Sequence, residues 1–283
     1  MEVSALEDMC DFTLTDKEFN QIRKLVIEHT GIALSDAKRN LVYGRLSKRL
    51  RKMKIRNFGS YIQLLESPSG KDELAHFTNA ITTNLTSFFR ENHHFEFLKS
   101  TVLPNLLRIN ADTKKIRVWS AGCSTGEEPY SIAMAIREVI PENKNWDIKI
   151  LATDLDTNVL AHAKAGIYSL ERINSLSKSR MKRWFLKGKG NQIDSIKIRT
   201  ELQDLIRFRR LNLMETWPIK NQFDIIFCRN VVIYFDKPTQ KILFKRYHEL
   251  LRDSGHMFIG HSETMFKVSN DFKLIGNTTY TKI

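Results

Sequence analysis

The sequence predicts an α/β protein in which a helical N-terminal domain precedes a parallel β-sheet domain with helices on both faces. Three observations predict this. Apolar residues recur at helical spacing up to about residue 107, and short β-rich runs alternate with helical stretches from about residue 115 onward. A block of shorter alternating runs interrupts that rhythm between about residues 178 and 210. The 283 residues suffice for one large domain or two modest ones, each with a hydrophobic core.

The first helix is predicted from the spacing of its apolar residues. These recur every three or four positions from Phe19 to Ile27, as on one face of a helix. Thr15 and Glu18 form the sequence pattern of a capping box, which places the helix start at Thr15. Further helical patterns follow up to the polar patch at residues 82–86, which is predicted to begin the second domain.

A second helix is predicted at about residues 35–53, with Asp36 near its N-terminus. Its inner face is expected to carry Leu41, Val42, Leu46 and Leu50. No acid lies between residues 37 and 56, where the cations are Lys38, Arg39, Arg45, Lys48, Arg49, Arg51, Lys52, Lys54 and Arg56. Such a run is usually a solvated helix face, but charge this unbalanced also predicts docking to an acidic partner.

The sheet domain is predicted from four β-rich runs separated by helical stretches. These runs are residues 116–119, 148–152, 223–228 and 256–259. The alternation predicts a parallel sheet, which binds ligands at the carboxyl ends of its strands. The shorter runs are predicted to form small antiparallel strands inserted beside that sheet, at residues 184–186, 196–199 and 206–208.

The composition limits the possible classes of function but does not identify one. With 42% hydrophobic and 27% charged residues, the chain is an ordinary folded protein rather than a disordered or fibrous one. Its formal net charge of +13 predicts an anionic partner, which could be a nucleic acid, an anionic membrane or an acidic protein.

Cysteine usage and the absence of membrane signals predict a cytoplasmic protein. Cys10, Cys123 and Cys228 lie far apart, which argues against a disulfide framework or a zinc site and fits a reducing compartment. Residues 1–8 lack the basic start and apolar core of a signal peptide. No stretch of about 18 apolar residues could span a bilayer.

The turn after the first predicted strand is the strongest local feature. Residues 118–130 read VWSAGCSTGEEPY, with two glycines between strand and helix. Small residues there let the backbone approach a ligand, and the helix, with Pro129 at its start, presents unpaired amides. Glu127 and Glu128 disfavour a phosphate and suit a cationic ligand. Such a glycine pair is also common in strand-to-helix turns that bind no ligand, so the turn alone does not decide the function.

A serine hydrolase is an alternative for this turn. Residues 122–126 (GCSTG) match the Gly-x-Ser-x-Gly nucleophile elbow, and Asp224 and His256 or His261 follow in the hydrolase order. That elbow normally follows several sheet strands, whereas the preceding residues are predicted to be helical and contain no Gly-rich oxyanion loop. The hydrolase hypothesis is therefore the weaker one.

Two further polar clusters are predicted at the same sheet edge. Asp154 and Asp156 follow the second predicted strand, and we expect Asp154 to bind a ribose diol and Asp156 to cap the next helix. Arg229, Asn230 and Tyr234 follow the buried run at residues 223–228. Three clusters that converge on one edge predict a ligand site there.

The adjacent pair His93 and His94 raises the question of a metal. Neighbouring side chains on a helix point in different directions, and no carboxylate or cysteine stands at ligand spacing in the sequence. We therefore expect no metal site.

Four ordered motifs indicate a family. They stand at residues 83–91 (TNLTSFFRE), 124–131 (STGEEPYS), 227–236 (FCRNVVIYFD) and 260–263 (GHSE). In these motifs, and across nearly its whole length, the chain resembles the CheR family of chemotaxis receptor methyltransferases. The resemblance implies a helical domain at residues 1–82, with a receptor-facing basic helix at about 36–56. It also implies a Rossmann-like S-adenosylmethionine-dependent methyltransferase domain at 83–283, with an antiparallel β-subdomain inserted at about 178–210.

The resemblance also implies an activity and a site. The activity is methylation of glutamate side chains on the cytoplasmic helices of chemoreceptors, which gives glutamate methyl esters for sensory adaptation. The cofactor would be S-adenosylmethionine, the product S-adenosylhomocysteine, and no metal would take part. The implied cofactor-binding residues are Asn84, Thr86, Arg90, Glu127, Asp154, Asn212, Leu213, Arg229 and Asn230. The implied receptor-docking residues are Lys48, Arg49, Arg51, Lys52 and Arg56.

We further hypothesise that Tyr234 and Arg229 are catalytic residues, which line the acceptor end and orient the glutamate, with Arg90 close enough to assist. The inserted strands resemble the part that, in some members of the family, grips a C-terminal receptor peptide. Otherwise we expect a cytoplasmic monomer that neither inserts into a membrane nor acts on nucleic acid.

Two rival functions remain, one within the enzyme class and one from a different class. A nucleic-acid methyltransferase fits the net charge of +13, but base amino-methylation usually needs an Asn/Asp-Pro-Pro-aromatic loop, and residues 229–232 contain no proline. A cofactor-sensing adaptor without catalysis is the other rival. The complete set of polar residues expected in the pocket argues against it.

Overall fold

The computed structural model describes residues 12–283. The chain divides into two compact units, Met1–Thr83 and Asn84–Ile283, and the boundary falls within the polar patch noted above. Cys10 and residues 1–8, which bear on the redox and signal-peptide predictions, lie outside the described residues.

From residue 12 onward, the N-terminal unit contains four α-helices. They are α1 (Asp16–Thr30), α2 (Arg39–Met53), α3 (Phe58–Glu66) and α4 (Lys71–Ile81), with short 3-10 turns at Asp36–Lys38 and Pro68–Gly70. The predicted capping box at the start of α1 is confirmed. The hydroxyl of Thr15 accepts a hydrogen bond from the Glu18 amide (3.2 Å), and the Glu18 carboxylate accepts one from the Thr15 amide (2.9 Å).

A core of its own holds this unit together. Val42, Leu46 and Leu50 of α2 are fully buried, as the spacing predicts. Leu41 was expected on the same face but is 39% exposed. Successive residues of an α-helix are about 100° apart around its axis. Because the buried stripe runs through Val42, the neighbouring Leu41 lies outside it.

The C-terminal unit combines seven α-helices and ten strands. The helices are α5 (His93–Phe97), α6 (Leu103–Ile109), α7 (Glu127–Val139), α8 (Thr157–Ala165), α9 (Lys178–Trp184), α10 (Thr200–Gln203) and α11 (Lys237–Leu250). The strands are β1 (Lys115–Ala121), β2 (Asp147–Asp154), β3 (Ile167–Ser169), β4 (Phe185–Lys187), β5 (Ser195–Ile198), β6 (Ile206–Arg210), β7 (Phe223–Cys228), β8 (Leu251–Ile259), β9 (Phe272–Gly276) and β10 (Thr279–Lys282). A π-helical segment, Leu98–Val102, joins α5 to α6.

Seven strands form the large sheet, in the order β6-β2-β1-β7-β8-β10-β9. The first five are parallel, so the four predicted runs all lie in one parallel sheet. The last two, β10 and β9, are antiparallel and make the sheet a mixed one. Every residue of β7 is buried, which explains why its sequence is apolar except for Asp224.

The small antiparallel sheet is present, but its membership differs from the prediction. It contains β3, β5 and β4 in that order, so it begins before residue 178, at Ile167. The run at residues 206–208, expected in this small sheet, instead belongs to β6, which pairs in parallel with β2 at the edge of the large sheet. Alternating apolar residues fit either position, so the pattern alone could not choose the partner strand.

This architecture brings the carboxyl ends of β6, β2, β1 and β7 to one edge of the large sheet. Each predicted polar cluster of the C-terminal unit follows one of these strands. Among the described residues, no helix is both long and apolar enough to cross a membrane.

Candidate active site

The glycine turn between β1 and α7 is held tightly against the end of β2. The amides of Gly122 and Cys123 both donate to the carbonyl of Thr153, at 2.8 and 2.9 Å. Gly122 has φ +83° and Gly126 has φ +97°, in the left-handed region that favours glycine. A Cβ at Gly126 would lie 2.9 Å from the Tyr168 hydroxyl, so glycine is required by space as well.

Glu127 begins α7 and is fully buried, next to the positive end of the helix dipole. Its Oε2 accepts a hydrogen bond from the Thr125 hydroxyl (2.6 Å). Its Oε1 lies 3.4 Å from the guanidinium of Arg172 and accepts no hydrogen bond. A buried carboxylate oxygen that lacks a donor can accept one from a cationic or N–H-bearing ligand.

Asp154 ends β2 and fastens the glycine turn. Its Oδ2 accepts from the Ser124 amide (2.8 Å) and its Oδ1 from the Asp156 amide (3.0 Å). Burial raises the pKa of Asp154 to about 6. Each carboxylate oxygen keeps a second lone pair, so a diol could still bind here. The carboxylate of Asp156 accepts from the amides of Asn158 and Val159, which confirms its predicted role as the cap of α8.

The segment Asn84 to Arg90 lies against these two turns. The Asn84 side chain donates to Asp156 (2.8 Å), and the Asn84 carbonyl accepts from the Ser124 hydroxyl (2.9 Å). The Thr86 carbonyl accepts from Arg172, and the Arg90 side chain donates to the carbonyl of residue 85. The segment that the family resemblance grouped with the glycine turn is thus in contact with it through Asn84 and Ser124.

Phe88 and Phe89 hold the same segment in place with their buried side chains. Both rings are buried, and Phe88 makes edge contacts with Tyr168 and Phe185 at centroid distances of 5.1 and 5.5 Å. The Phe89 amide donates to the hydroxyl of Ser131 on α7 (2.9 Å). Buried aromatic rings therefore fix the segment whose polar residues face the turns.

Arg229, immediately after β7, is buried between two carboxylates. Its guanidinium donates to Glu128 at 3.1 Å and to Glu91 at 3.0 Å, and it also donates to the Arg90 carbonyl. The Arg229 side chain is only 2% exposed. Its donors are thus directed at the protein, and they tie the segment that ends at Arg90 to the carboxyl end of β7.

Glu91 is the acid that sequence reasoning missed at this edge. Its carboxylate accepts from Arg229, from the Asn230 side chain (3.3 Å) and from His261 (2.7 Å). Burial alone would raise the pKa of Glu91, but the His261 hydrogen bond and the Arg229 charge outweigh it and lower the pKa to about 2. Glu91 stood in a motif of the sequence, but its partners lie far along the chain and gave no local signal.

The remaining predicted residues border this edge. Asn212 and Leu213 follow β6 and are largely buried, and the Leu211 amide donates to the Asp154 carbonyl (3.0 Å), which places the end of β6 beside Asp154. Tyr234 ends the 3-10 turn Val232–Tyr234, and its side chain is partly exposed.

The structure does not assemble a hydrolase triad. The Ser124 hydroxyl donates to the Asn84 carbonyl, not to a histidine. Asp224 lies at the start of β7, at the opposite sheet edge, where it accepts from the Arg117 amide (2.7 Å) and from Arg252 (2.9 Å). His261 is hydrogen-bonded to Glu91. The nucleophile-elbow match is therefore fortuitous.

Glu91 also bears on the metal question. One ligand atom each of Glu91, His93 and His94 lies within 4.8 Å of the other two, so a carboxylate does stand beside the histidine pair. The guanidinium of Arg229 lies 3.0 Å from the same carboxylate, and its charge opposes binding of a second cation.

The predicted docking residues lie on and just after α2. Lys48, Arg51, Lys52 and Arg56 are exposed. Arg49 differs, because its guanidinium pairs with Glu73, which is 6% exposed and also accepts from the Tyr61 hydroxyl (2.7 Å). Arg49 therefore belongs to the packing of the N-terminal unit.

Together these residues form a cradle suited to a nucleoside with a cationic group. Beside the glycine turn, Asp154 retains acceptor capacity and Glu127 holds a buried oxygen without a donor. This chemistry fits S-adenosylmethionine, which combines a ribose diol with an amino group and a sulfonium.

Comparison with known proteins decides the family. The model of the CheR methyltransferase SAM-binding domain matches residues 84–281, and that of the CheR all-alpha domain matches residues 17–82. The chain belongs to the CheR family. A chemotaxis protein methyltransferase 2 of Pseudomonas aeruginosa is 43% identical over 96% of this chain and 95% of its own length. A probable chemotaxis protein methyltransferase of Rhizobium etli is 42% identical, over 90% and 96%. The chemotaxis protein methyltransferase of Escherichia coli is 41% identical, over 94% and 91%. This CheR-family chain is thus a chemotaxis methyltransferase with an S-adenosylmethionine-binding domain.

Proposed function

We propose that this enzyme methylates glutamate side chains on the cytoplasmic helices of chemoreceptors, within the cytoplasm, and so forms glutamate methyl esters for sensory adaptation. The observation that carries the proposal is the convergence of three polar clusters at one sheet edge of a CheR-family chain: the glycine turn, Asp154, and the segment from Arg229 to Tyr234. The names of the relatives, which are chemotaxis methyltransferases, support it.

The proposed cofactor residues surround the glycine turn. Glu127 would accept from a cationic or amino group and Asp154 from the ribose. The other members of the proposed set are Asn84, Thr86, Arg90, Asn212, Leu213, Arg229 and Asn230. We propose that no metal takes part. Among the described residues, one cluster could supply metal ligands, and the positive charge of Arg229 lies beside its carboxylate.

Methyl transfer to glutamate requires little acid-base help from the protein. The cofactor supplies a methyl group bonded to a cationic sulfur, and a glutamate with an ordinary pKa of about 4.3 is already ionised at pH 7. The enzyme must remove water from the carboxylate and hold it in line for attack. Positioning of this kind can supply about 7 to 11 kcal/mol.

Tyr234 and Arg229 have different proposed roles at the acceptor end. The partly exposed Tyr234 side chain is the candidate for direct contact with the glutamate. The hypothesis that Arg229 also contacts it stays a prediction. Because the guanidinium already binds Glu91, Glu128 and the Arg90 carbonyl, we propose that Arg229 chiefly shapes the acceptor end by fixing Arg90 nearby.

Receptor docking is proposed for the exposed cations Lys48, Arg51, Lys52 and Arg56, which carry charge complementary to acidic receptor helices. The small sheet of β3, β5 and β4 is a proposed site for a C-terminal receptor peptide, which could add as a strand. We propose that the enzyme works as a monomer.

The decisive experiment incubates the enzyme with tritium-labelled S-adenosylmethionine and receptor cytoplasmic domains, with and without their C-terminal tails. Glutamate methyl esters release labelled methanol when treated with base. We expect base-labile label on the receptor, and loss of label on removal of the tail if a peptide tether is required. Label that appeared on DNA or RNA but not on receptor fragments would overturn the proposal.

Replacement of Tyr234 by phenylalanine tests the acceptor end. We expect Tyr234→Phe to lower kcat at saturating receptor and cofactor by about 10- to 100-fold, because one orienting hydrogen bond to the carboxylate is lost. Cofactor affinity, measured by calorimetry, should stay unchanged. Full turnover in this variant would remove the tyrosine from the proposed role.

A further inference from the structure

The buried carboxylate of Glu263 has no part in the function argued so far. Glu263 lies in the turn after β8 and is 5% exposed. Its two oxygens accept four backbone N–H groups: those of Gly260 (2.5 Å), Asn230 (2.9 Å), Val231 (2.9 Å) and Ile233 (3.2 Å). Three of these donors belong to the turn that follows β7.

That turn carries the residues proposed to meet cofactor and acceptor. Asn230 has φ +58°, in the left-handed region, which asparagine adopts more readily than other non-glycine residues. Its amide and the next one, of Val231, are held by separate oxygens of Glu263. The Tyr234 amide then closes the 3-10 turn on the Val231 carbonyl (3.2 Å). The carboxylate thus sets the backbone between Asn230 and Tyr234.

Gly260 makes this arrangement possible through its small size. A Cβ at Gly260 would lie 2.4 Å from the Asn230 side-chain nitrogen and 2.8 Å from the Asn230 amide nitrogen. With glycine there, the two turns pack closely enough for the carboxylate of Glu263 to reach across. The Asn230 side chain is then directed to Glu91 (3.3 Å).

A direct chemical role for Glu263 does not fit this geometry. Both oxygens are engaged by backbone amides, and the side chain is buried. Several N–H groups converging on one carboxylate compensate its charge in place of water, as in an anion-binding backbone turn.

We infer that Glu263 is a positioning residue for methyl transfer, which holds the turn from Asn230 to Tyr234 in its working conformation without touching either substrate. The inference rests on the proposed function, because Asn230 and Tyr234 have their roles from it. It predicts that loss of the carboxylate slows the chemical step of correctly folded enzyme.

The test compares Glu263→Gln with Glu249→Gln, the same change at an exposed position of α11. The glutamine keeps the shape of the side chain but offers one acceptor oxygen instead of two. We expect kcat per folded enzyme to fall at least about tenfold and towards 100-fold, since small misplacements have effects of that size. The receptor KM should change far less, and the control variant should match the wild type.

Amide hydrogen exchange provides the second measurement. In Glu263→Gln we expect faster exchange at residues 230–234, with β1 and α7 unchanged. A kcat reduced less than tenfold per folded molecule, or protection lost uniformly over the chain, would overturn the inference. If Glu263→Gln does not fold, Glu263→Asp is carried through the same two tests, because it keeps the charge but shortens the reach.

The two proposals can fail separately. If the wild-type enzyme does not label receptors, the proposed function fails, whereas the exchange comparison needs no receptor and still decides whether Glu263 holds the turn. If the wild type labels receptors and Glu263→Gln does so at an equal rate, only the positioning role fails.

Discussion

Arg229 illustrates how a single side chain can connect several parts of a site. Its guanidinium spans Glu91 and Glu128, lies 5.5 Å from the centroid of the Phe95 ring, and donates to the carbonyl of Arg90. Burial raises the pKa of Glu128 even though the charge of Arg229 opposes that change. The positive charge of one buried arginine thus reduces the cost of burying two carboxyl groups.

Replacement of Arg229 separates a positioning role from direct contact with the substrate. Arg229→Met leaves two buried carboxylates without their cation, and we expect the free energy of unfolding to fall by about 3–5 kcal/mol. Urea unfolding monitored by circular dichroism measures this. A variant that is as stable as the wild type but inactive would instead favour direct contact between Arg229 and the glutamate.

His94 predicts a defined pH dependence of stability. Its ring is fully buried, its Nε2 is bonded to the Asn277 carbonyl (2.8 Å), and its Nδ1 lies 3.5 Å from the Glu91 carboxylate without a hydrogen bond. Burial, together with the nearby charge of Arg229, lowers the pKa of His94 from 6.5 to about 4. Between pH 6.5 and 4, His94 is therefore protonated in the unfolded chain but neutral in the folded chain. Its contribution to the free energy of unfolding is fully present above pH 6.5 and is lost as the pH falls from 6.5 to 4.

The corresponding experiment measures unfolding free energies of the wild type and of His94→Gln from pH 7.5 to 4.5. We expect the wild type to lose up to about 3 kcal/mol more than the variant over that range. Asp154 titrates in the same range with the opposite sign, because its pKa is raised to about 6, but it is present in both proteins and cancels in the difference. Parallel curves for the two proteins would contradict the prediction.

At the scale of elements, helix α2 serves two purposes with similar side chains. Arg49 points to the buried Glu73 of α4, and the hydrogen bonds from Arg49 and Tyr61 outweigh burial and lower the pKa of Glu73. Lys48 and Lys52 are exposed. Neighbouring cations on one helix therefore divide between packing and solvent.

This division gives a paired prediction. Changing Lys48, Lys52 and Arg56 together to glutamine should leave stability unchanged and raise the KM for receptor by about tenfold, with a smaller effect at high salt. Changing Arg49 alone to glutamine should lower the free energy of unfolding by about 3 kcal/mol, since Glu73 would keep only Tyr61 as a donor. Equal effects of the two changes on stability would refute the distinction.

Elements that depend on local pattern were predictable from sequence, and those that depend on partner choice were not. The capping box of α1 and the strands β1, β2, β7 and β8 follow from spacing and from apolar runs. The placement of β6 in the large sheet depends on pairing with β2, far along the chain. In β9 only the first residue is buried, so its sequence lacks the alternation that marks a strand.

The same distinction applies within the site. The glycine turn, Asp154 and the turn after β7 were predictable because each lies at the carboxyl end of a strand. Glu91 and Glu263 were not, because what they do depends on donors that folding brings to them from other segments. The motifs contained both residues, but spacing alone assigns a carboxylate no partner.

At the scale of the whole molecule, each unit has its own core, and every residue proposed to bind the cofactor lies in Asn84–Ile283. We therefore expect a fragment of residues 84–283 to bind S-adenosylmethionine with an affinity within about tenfold of that of the full chain. The fragment should methylate receptors poorly, because it lacks the basic helix. Calorimetry with both proteins checks this, and failure of a folded fragment to bind would place part of the cofactor site in the N-terminal unit.

The two glycines at the site edge have a consequence for the evolution of the family. A Cβ at Gly122 would lie 2.4 Å from a methyl of Val231, just as one at Gly260 would overlap Asn230. Both glycines pack against the turn after β7, although they lie in separate segments of the chain. Drift at any one of these positions should remove selection on the others. Descendants that have abandoned catalysis should then show substitutions at Gly122, at Gly260 and in the turn after β7 together.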